Sequence, residues 1–246
     1  MTNEVAATGF ERGAADYEKA RPAYPAAVLD LLPATGTVVD VAAGTGKLTR
    51  QLVDRAGPEL RARLVVAVEP VAAMRAIASQ FAPTVAGTAE SLPLSDGCAD
   101  AVTVAQAFHW FDIPRALAEV RRVLKPDGTL LLVWNERDNR VPWVAEMTAV
   151  IHAHDPGAYA SDVDWPAAVA DAGGFTPVEE REVDNPQRGI DVETVVARAT
   201  STSYVSAAGG EVMAQVARDV RAIVSGFDEP FDYPYVTTIF TCRRAS

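Results

Sequence analysis

The stretch "TVVDVAAGTGKLTRQL", residues 37–52, decides the fold of this chain. An apolar run ends in an acid and is followed by a small-residue turn that contains Gly44 and Gly46. The next segment places Leu48 and Leu52 on one face of a predicted helix. A strand, a tight turn and a helix in this order form a cofactor-binding turn in several unrelated enzyme classes, so the cofactor is the question to answer.

Composition and charge narrow the classes of partner. The 246 residues carry 22 Lys+Arg against 33 Asp+Glu, a formal net charge of −11. This excess of acid would repel a phosphate backbone, so we expect no nucleic-acid substrate. The first residues contain no apolar leader segment, and no apolar run reaches the length of a membrane span. We therefore expect no membrane partner. Cys98 and Cys242 lie far apart and suit a reduced compartment, so we expect a cytoplasmic protein.

Apolar runs alternate with amphipathic segments along most of the chain. Near-continuous Val, Leu and Ala strands between amphipathic helices are typical of a parallel sheet with both faces covered, which predicts an α/β fold. "KPDG" at 125–128 predicts a turn, and Asp112 with Pro114 predicts a helix start. The strand candidates cover residues 37–42, 63–69, 83–87, 99–108, 129–134, 175–185 and 235–244.

No repeat or low-complexity linker interrupts the chain, so we expect one domain over residues 1–246. Residues 191–225 read as one helical stretch that is broken near "AAGG" at 207–210. The expected parts are an N-terminal helical cover at 8–33, a core at 36–190 and 234–244, and a helical insert at 191–225.

The turn fails the tests for two common nucleotide cofactors. A Walker A loop needs a Gly where this chain has Val41, and a Ser or Thr where Leu48 follows Lys47. A dinucleotide fingerprint needs a third glycine for close helix packing, and none follows Gly46 at the required spacing. Taken alone, the two glycines would fit a plain turn without a ligand.

Two acids point to a different cofactor. Glu69 closes the next strand, and an acid at that position of a doubly wound sheet can accept hydrogen bonds from both ribose hydroxyls. Asp40 ends the first strand and can face a cationic ligand. A ribose together with a positive charge describes S-adenosylmethionine (SAM) better than any pyrophosphate.

The same residues resemble a known family. "VVDVAAGTGKLT" is similar to the first motif of class I SAM-dependent methyltransferases, acid-x-G-x-G-x-G, with Asp40 as the acid. Ala42 stands in place of the first glycine, which is a small departure if its φ stays negative. The resemblance covers residues 37–135 and implies a doubly wound, mostly parallel, seven-stranded Rossmann-like sheet with helical cap additions. It continues through "VVAVEPVAAM", "GTAESLPLSDGCADAVTVAQAFHWFD" and "VRRVLKPDGTLLLVW".

The stretches "ADYEKARPAYP" and "AQAFHWFD" are similar to a small-molecule group related to trans-aconitate-type methyltransferases. The resemblance therefore implies SAM as cofactor and a small-molecule acceptor. In this family pattern Asp40 would hold water or the methionine ammonium, and the backbone from Ala42 through Gly44 to Gly46 would pass close to the methionine. Glu69 would bind the ribose hydroxyls.

The resemblance assigns further cofactor contacts. Pro70 and Met74 would flank the adenine, and Ala89 and Glu90 would meet its edge. Gln106, at the end of the fourth strand, would face the methyl donor.

A helix near the N-terminus would carry Tyr17, Arg21 and Tyr24 over the cofactor. Arg21 or a tyrosine hydroxyl would then lie near the cofactor carboxylate. The alternative is the start of a surface helix after a Pro-rich turn. With residues 191–225, this region would close over the crevice during transfer; alternatively, these helices only cover the edge of the sheet.

Methyl transfer from a sulfonium is an in-line displacement in which the protein mainly supplies alignment. His109 follows the fourth strand and is the candidate general base; the alternative is a half-buried histidine that packs between Phe108 and Trp110. His152 and His154 face different directions on a predicted helix, so we predict no metal site.

Three further alternatives stay open from the sequence. Four aromatic residues either line the acceptor pocket or belong to the core: Trp134, Trp143, Phe108 and Phe111. The chain either transfers methyl, or binds SAM for another purpose, or, less favoured, is a nicotinamide-dependent oxidoreductase. A carboxylate acceptor would suit Arg21 or Arg137, whereas a hydroxyl or carbon acid would need His109.

Overall fold

The computed structural model describes residues 22–56, 63–155 and 164–245. The chain divides into two compact units, which we call the sheet unit and the helical unit. The sheet unit comprises Tyr24–Trp134, Asp162–Val183 and Thr238–Ser246. The helical unit comprises Met1–Ala23, Asn135–Ser161 and Asp184–Thr237. The predicted insert at 191–225 belongs to the helical unit, and the prediction of a single domain stays a prediction.

A seven-stranded sheet has the order β3-β2-β1-β4-β5-β9-β6, and β7 pairs with β8 in a separate antiparallel ladder. Pairing is parallel between β1 and β2, β1 and β4, β2 and β3, and β4 and β5. The doubly wound, mostly parallel sheet is therefore confirmed. The strands are β1 Gly36–Val41, β2 Arg63–Val68, β3 Thr84–Val85, β4 Ala99–Ala105, β5 Leu124–Arg137, β6 Glu179–Asp184, β7 Gln187–Ile190, β8 Phe231–Tyr233 and β9 Tyr235–Arg243.

Hydrophobic cores lie on both faces of the large sheet. Leu130 and Leu132 belong to one cluster, whereas their neighbours Leu131 and Val133 belong to the other. Successive side chains of a strand point to opposite faces, so the two clusters are separated by the sheet. Both faces are buried, which is why the central strands are apolar without polar alternation.

The helices of the described residues start and stop largely where the sequence indicates. Asp112 caps α4, since its Oδ1 accepts a hydrogen bond from Arg115 N at 3.3 Å. Every helix in this part of the chain is too short or too polar to cross a membrane. A 3₁₀ turn spans Phe108–Trp110, and the α-helices are α1 Ala26–Asp30, α2 Lys47–Ala56, α3 Ala72–Ala78, α4 Ile113–Val123, α5 Pro142–His152, α6 Trp165–Ala172, α7 Val192–Thr200, α8 Ser203–Ala208 and α9 Gly210–Val224.

Two predicted segments have finer structure than expected. Residues 191–225 form α7, α8 and α9, with the predicted break at Gly209, where φ is +99°. A second break at 201–202 was not predicted. The predicted turn "KPDG" is a bulge inside β5, because Ala99 pairs with Leu124 and Ala101 already pairs with Thr129.

Candidate cofactor site

The turn between β1 and α2 has an unusual backbone. Ala42, Gly44 and Gly46 all adopt positive φ, at +53°, +60° and +86°. The replacement of the first glycine by Ala42 is therefore not a small departure from the motif, because its φ does not stay negative. For a residue with a Cβ this left-handed conformation costs about 1–2 kcal/mol, so the turn is strained at the position where the family motif has glycine.

The two glycines of the turn serve different purposes. Among the described residues, a Cβ built on Gly44 would meet only Met74 Sδ, at 4.0 Å, so these residues leave the space beside Gly44 open. A Cβ on Gly46 would lie 3.0 Å from Ala78 Cα and 3.2 Å from Phe81 Cδ2. Gly46 therefore allows the end of α3 to pack against the turn, whereas Gly44 leaves room for a ligand beside the backbone.

Asp40 lies beneath the turn and is 1% exposed. Thr49 Oγ1 donates a hydrogen bond to its Oδ2 at 2.5 Å, and Thr103 Oγ1 donates to its Oδ1 at 2.9 Å. Burial raises the pKa of Asp40 to about 6, although both hydroxyls lower it. Sequence reasoning missed these partners; the available signal was Thr103, a hydroxyl residue inside an apolar strand.

Glu69 follows β2 and is 3% exposed. Its Oε2 accepts a hydrogen bond from Gly44 N and its Oε1 one from Val71 N, both at 2.8 Å. Burial raises its pKa, and these two hydrogen bonds lower it. Each carboxylate oxygen has a second lone pair, so Glu69 can hold the turn in place and still accept a ribose hydroxyl.

The candidate adenine contacts continue along the same sheet edge. Met74 and Ala89 are buried, Pro70 is exposed, and Glu90 is half-buried with its Oε1 accepting from Asp112 N at 3.0 Å. Strands β1 to β4 pair in parallel, so their carboxyl ends lie at one edge of the sheet. The structure thus brings the loops that carry the candidate residues to the edge where open α/β sheets bind ligands.

Sequence reasoning also missed Arg75. Its Nη1 donates hydrogen bonds at 2.9 Å to the carbonyl oxygens of Glu69 and Pro70. Arg75 therefore fixes the backbone of the loop after β2.

The residues that follow β4 are constrained as well. Gln106 adopts a positive φ of +57°, and its N donates to Val133 O at 2.9 Å. His109 lies in the 3₁₀ turn, half-buried, with its ring centroid 4.8 Å from that of Trp110. Burial lowers the pKa of His109, so its imidazole is neutral at pH 7 and able to accept a proton.

Tyr24 differs from its expected placement. It lies in the segment before α1, which has no regular secondary structure, rather than on a helix, so that expectation is wrong. Its N donates to Gln51 Oε1 at 2.9 Å, its O accepts from Gln51 Nε2 at 2.8 Å, and its side chain packs into the core with 8% exposure. Tyr17 and Arg21 lie outside the described residues.

The aromatic residues proposed as pocket walls pack into cores. Phe108 and Trp134 belong to one hydrophobic cluster of the sheet unit, and Phe111 packs against it. Trp134 stacks on Trp165 with ring centroids 5.2 Å apart. Trp143 packs into the core of the helical unit.

Comparisons with known proteins identify relatives of this chain. A family model described as a methyltransferase domain matches residues 39–132. An uncharacterized methyltransferase of Mycobacterium tuberculosis is 39% identical over 245 residues, which cover 94% of this chain and 92% of the relative.

Two solved structures share the fold. A putative type II methyltransferase from Anaeromyxobacter dehalogenans has a TM-score of 0.63 and 24% identity, covering 92% of this chain and 98% of that one. Geranyl diphosphate C-methyltransferase from Streptomyces coelicolor, solved with S-adenosyl-L-homocysteine, has a TM-score of 0.53 and 18% identity, covering 89% of this chain and 78% of that one.

Proposed function

This chain belongs to the class I SAM-dependent methyltransferases, and we propose that it methylates a small-molecule acceptor. Its cofactor is SAM. The observation that best supports the proposed site is the turn around Gly44, which the described residues leave open on one side and whose Gly44 N donates a hydrogen bond to the carboxylate of Glu69.

The proposed cofactor contacts follow from that arrangement. Glu69 uses its remaining acceptor capacity for the ribose hydroxyls, and the backbone at Gly44 passes the methionine portion. Among the described residues, Met74 is the nearest side chain to the open space at Gly44, and it would flank the adenine with Pro70.

The other proposed contacts lie further along the sheet edge. Ala89 and Glu90 would meet the adenine edge, and Gln106 would face the methyl donor. Asp40 is enclosed by two threonine hydroxyls, which supports an indirect role through water or through the charge that it presents to the methionine ammonium.

SAM supplies a methyl group that is already activated by its sulfonium. The protein then has to align the acceptor and exclude water. His109 is the candidate base for an acceptor that must lose a proton, since its lowered pKa keeps the imidazole neutral. A carboxylate acceptor would need no base.

The small-molecule acceptor is supported by charge. A net charge of −11 opposes the approach of a nucleic-acid backbone.

The cysteines bear on the location of the protein. Cys98 and Cys242 are free thiols, which supports a cytoplasmic location.

A methyl-transfer screen tests the acceptor class. Purified protein is incubated with SAM and small acids, phenols or amines, and products are detected by mass. We expect at least one small acceptor to gain a methyl group at a rate that falls when Gly44 is replaced by Val. Methylation of added RNA or protein, with every small acceptor unchanged, would contradict the proposal.

A further inference from the structure

Two arginines of the helical unit lie beside a pair of tyrosines. The Cζ atom of Arg198 lies 5.5 Å from the ring centroid of Tyr233 and 5.6 Å from that of Tyr235. Arg137 interacts electrostatically with both tyrosines, and its Nη2 donates to Thr202 Oγ1 at 3.2 Å. We call these four residues, Arg137, Arg198, Tyr233 and Tyr235, the arginine–tyrosine cluster.

Several donors of this cluster have no acceptor. Arg198 is 7% exposed, and its buried Nε and Nη1 have no hydrogen-bond partner in the part of the chain that the structure describes. The same holds for the buried Nε of Arg137. Within residues 22–56, 63–155 and 164–245, neither arginine pairs with a carboxylate, although the exposed Arg140 and Arg221 do.

The missing acceptors are energetically costly. A guanidinium does not lose its proton in proteins, so burial cannot neutralise it. Buried polar groups almost always have partners, because an unpaired one loses its hydration without compensation. Contact of Arg198 with the rings of Tyr233 and Tyr235 offsets part of this cost, but its Nε and Nη1 still lack an acceptor among the described residues.

Tyr233 does not supply a negative charge. Burial and the neighbouring Tyr235 raise the pKa of Tyr233 well above its ordinary value, so its hydroxyl stays protonated at neutral pH. The cluster therefore combines two arginines with no carboxylate among its own residues. This is notable in a chain whose acids outnumber its bases by 33 to 22.

We propose that the arginine–tyrosine cluster binds the carboxylate of a small organic acid. A carboxylate presents two acceptor oxygens for the buried donors of Arg198, and the charge of Arg137 adds to the attraction. The rings of Tyr233 and Tyr235 beside Arg198 suit an organic skeleton more than a fully hydrated inorganic ion. The proposal concerns binding by the helical unit, and it does not rest on methyl transfer.

Calorimetry on the full chain tests this proposal. The probes are acetate, succinate, citrate and benzoate, the neutral amide of each acid, and inorganic phosphate. At least one acid should bind about tenfold or more tighter than its amide, because the amide lacks the charge that the cluster recognises. Equal affinity of each acid and its amide, or preferential binding of phosphate, would overturn the proposal.

Variants locate the binding. Arg198→Met should weaken the preferred acid about tenfold or more, and Arg198→Lys should have an intermediate effect because it keeps the charge without the paired donors. The matched control is Arg221→Met, an exposed arginine that pairs with Glu193 in the same unit. If Arg198→Met does not fold, Arg137→Gln takes its place. Unchanged acid affinity in the folded Arg198 or Arg137 variant would overturn the assignment.

Discussion

Ala42 is strained by its left-handed backbone, and glycine would relieve that strain. We expect Ala42→Gly to raise the free energy of unfolding by up to about 1 kcal/mol, measured by urea denaturation. The control is Ala43→Gly, at a neighbouring position whose φ is not positive, which should lower stability by about 0.5–1 kcal/mol. A loss of stability in Ala42→Gly equal to that of the control would contradict this reading.

Asp40 couples stability to pH. Its folded-state pKa, about 6, lies above the ordinary value of 3.8, so the folded protein binds more protons than the unfolded chain between these values. The favourable contribution of protonated Asp40 is complete below pH 3.8 and is lost as the pH rises through about 6. As the pH rises from 4 to 7, the free energy of unfolding of Asp40→Asn should therefore increase relative to that of the wild type by about 2–3 kcal/mol.

Urea unfolding of both proteins across this pH range measures the difference. A constant gap between them at every pH would show that the ionisation of Asp40 is not coupled to folding.

At the residue scale, the acids and glycines of the candidate cofactor site are visible in the sequence, but their hydrogen-bond partners are not. The spacing of Gly44, Gly46 and Glu69 is visible in the chain. The hydrogen bonds of Thr49 and Thr103 to Asp40 depend on strand register and helix placement, which no local pattern shows. The positive φ of Ala42 likewise comes from the turn, against the preference of the residue itself.

At the element scale, the turn between β1 and α2 has a proposed cofactor contact at Gly44 and a packing contact at Gly46. Gly44→Val should abolish SAM retention in equilibrium dialysis, because a branched side chain resists φ > 0 and fills the open space. Gly46→Ala should instead lower the free energy of unfolding by about 1–3 kcal/mol, since its Cβ would press on the backbone of Ala78. SAM retained by Gly44→Val would mean that the cofactor lies elsewhere.

The sequence predicts the elements best where burial is continuous. Strands β1, β2 and β4 are apolar runs between amphipathic helices, and they match their predicted positions within a few residues. The ladder of β7 and β8 was missed, because "QRGI" and "FDY" are too short and too polar to show a strand period. The break between α7 and α8 was missed because "STS" contains neither glycine nor proline.

At the scale of the whole molecule, closure of residues 191–225 during transfer stays a prediction. Hydrogen exchange with and without S-adenosylhomocysteine tests it. A segment that closes should gain protection when ligand binds, beyond the general stabilisation from ligand binding. Protection confined to residues 40–46, 69–74 and 89–90 would contradict closure.

The central claim is that the turn after β1 and the acid after β2 hold SAM, and calorimetric titration of SAM into Glu69→Ala tests it most directly. Losing charge-assisted hydrogen bonds, each contributing about 1.5–3 kcal/mol, should weaken binding at least about tenfold. Urea unfolding must show that the variant still folds, because Glu69 also holds Gly44 N and Val71 N. Asp54→Asn, an exposed acid on α2, is the control and should bind SAM as the wild type does. Wild-type affinity in a folded Glu69→Ala protein would contradict the account.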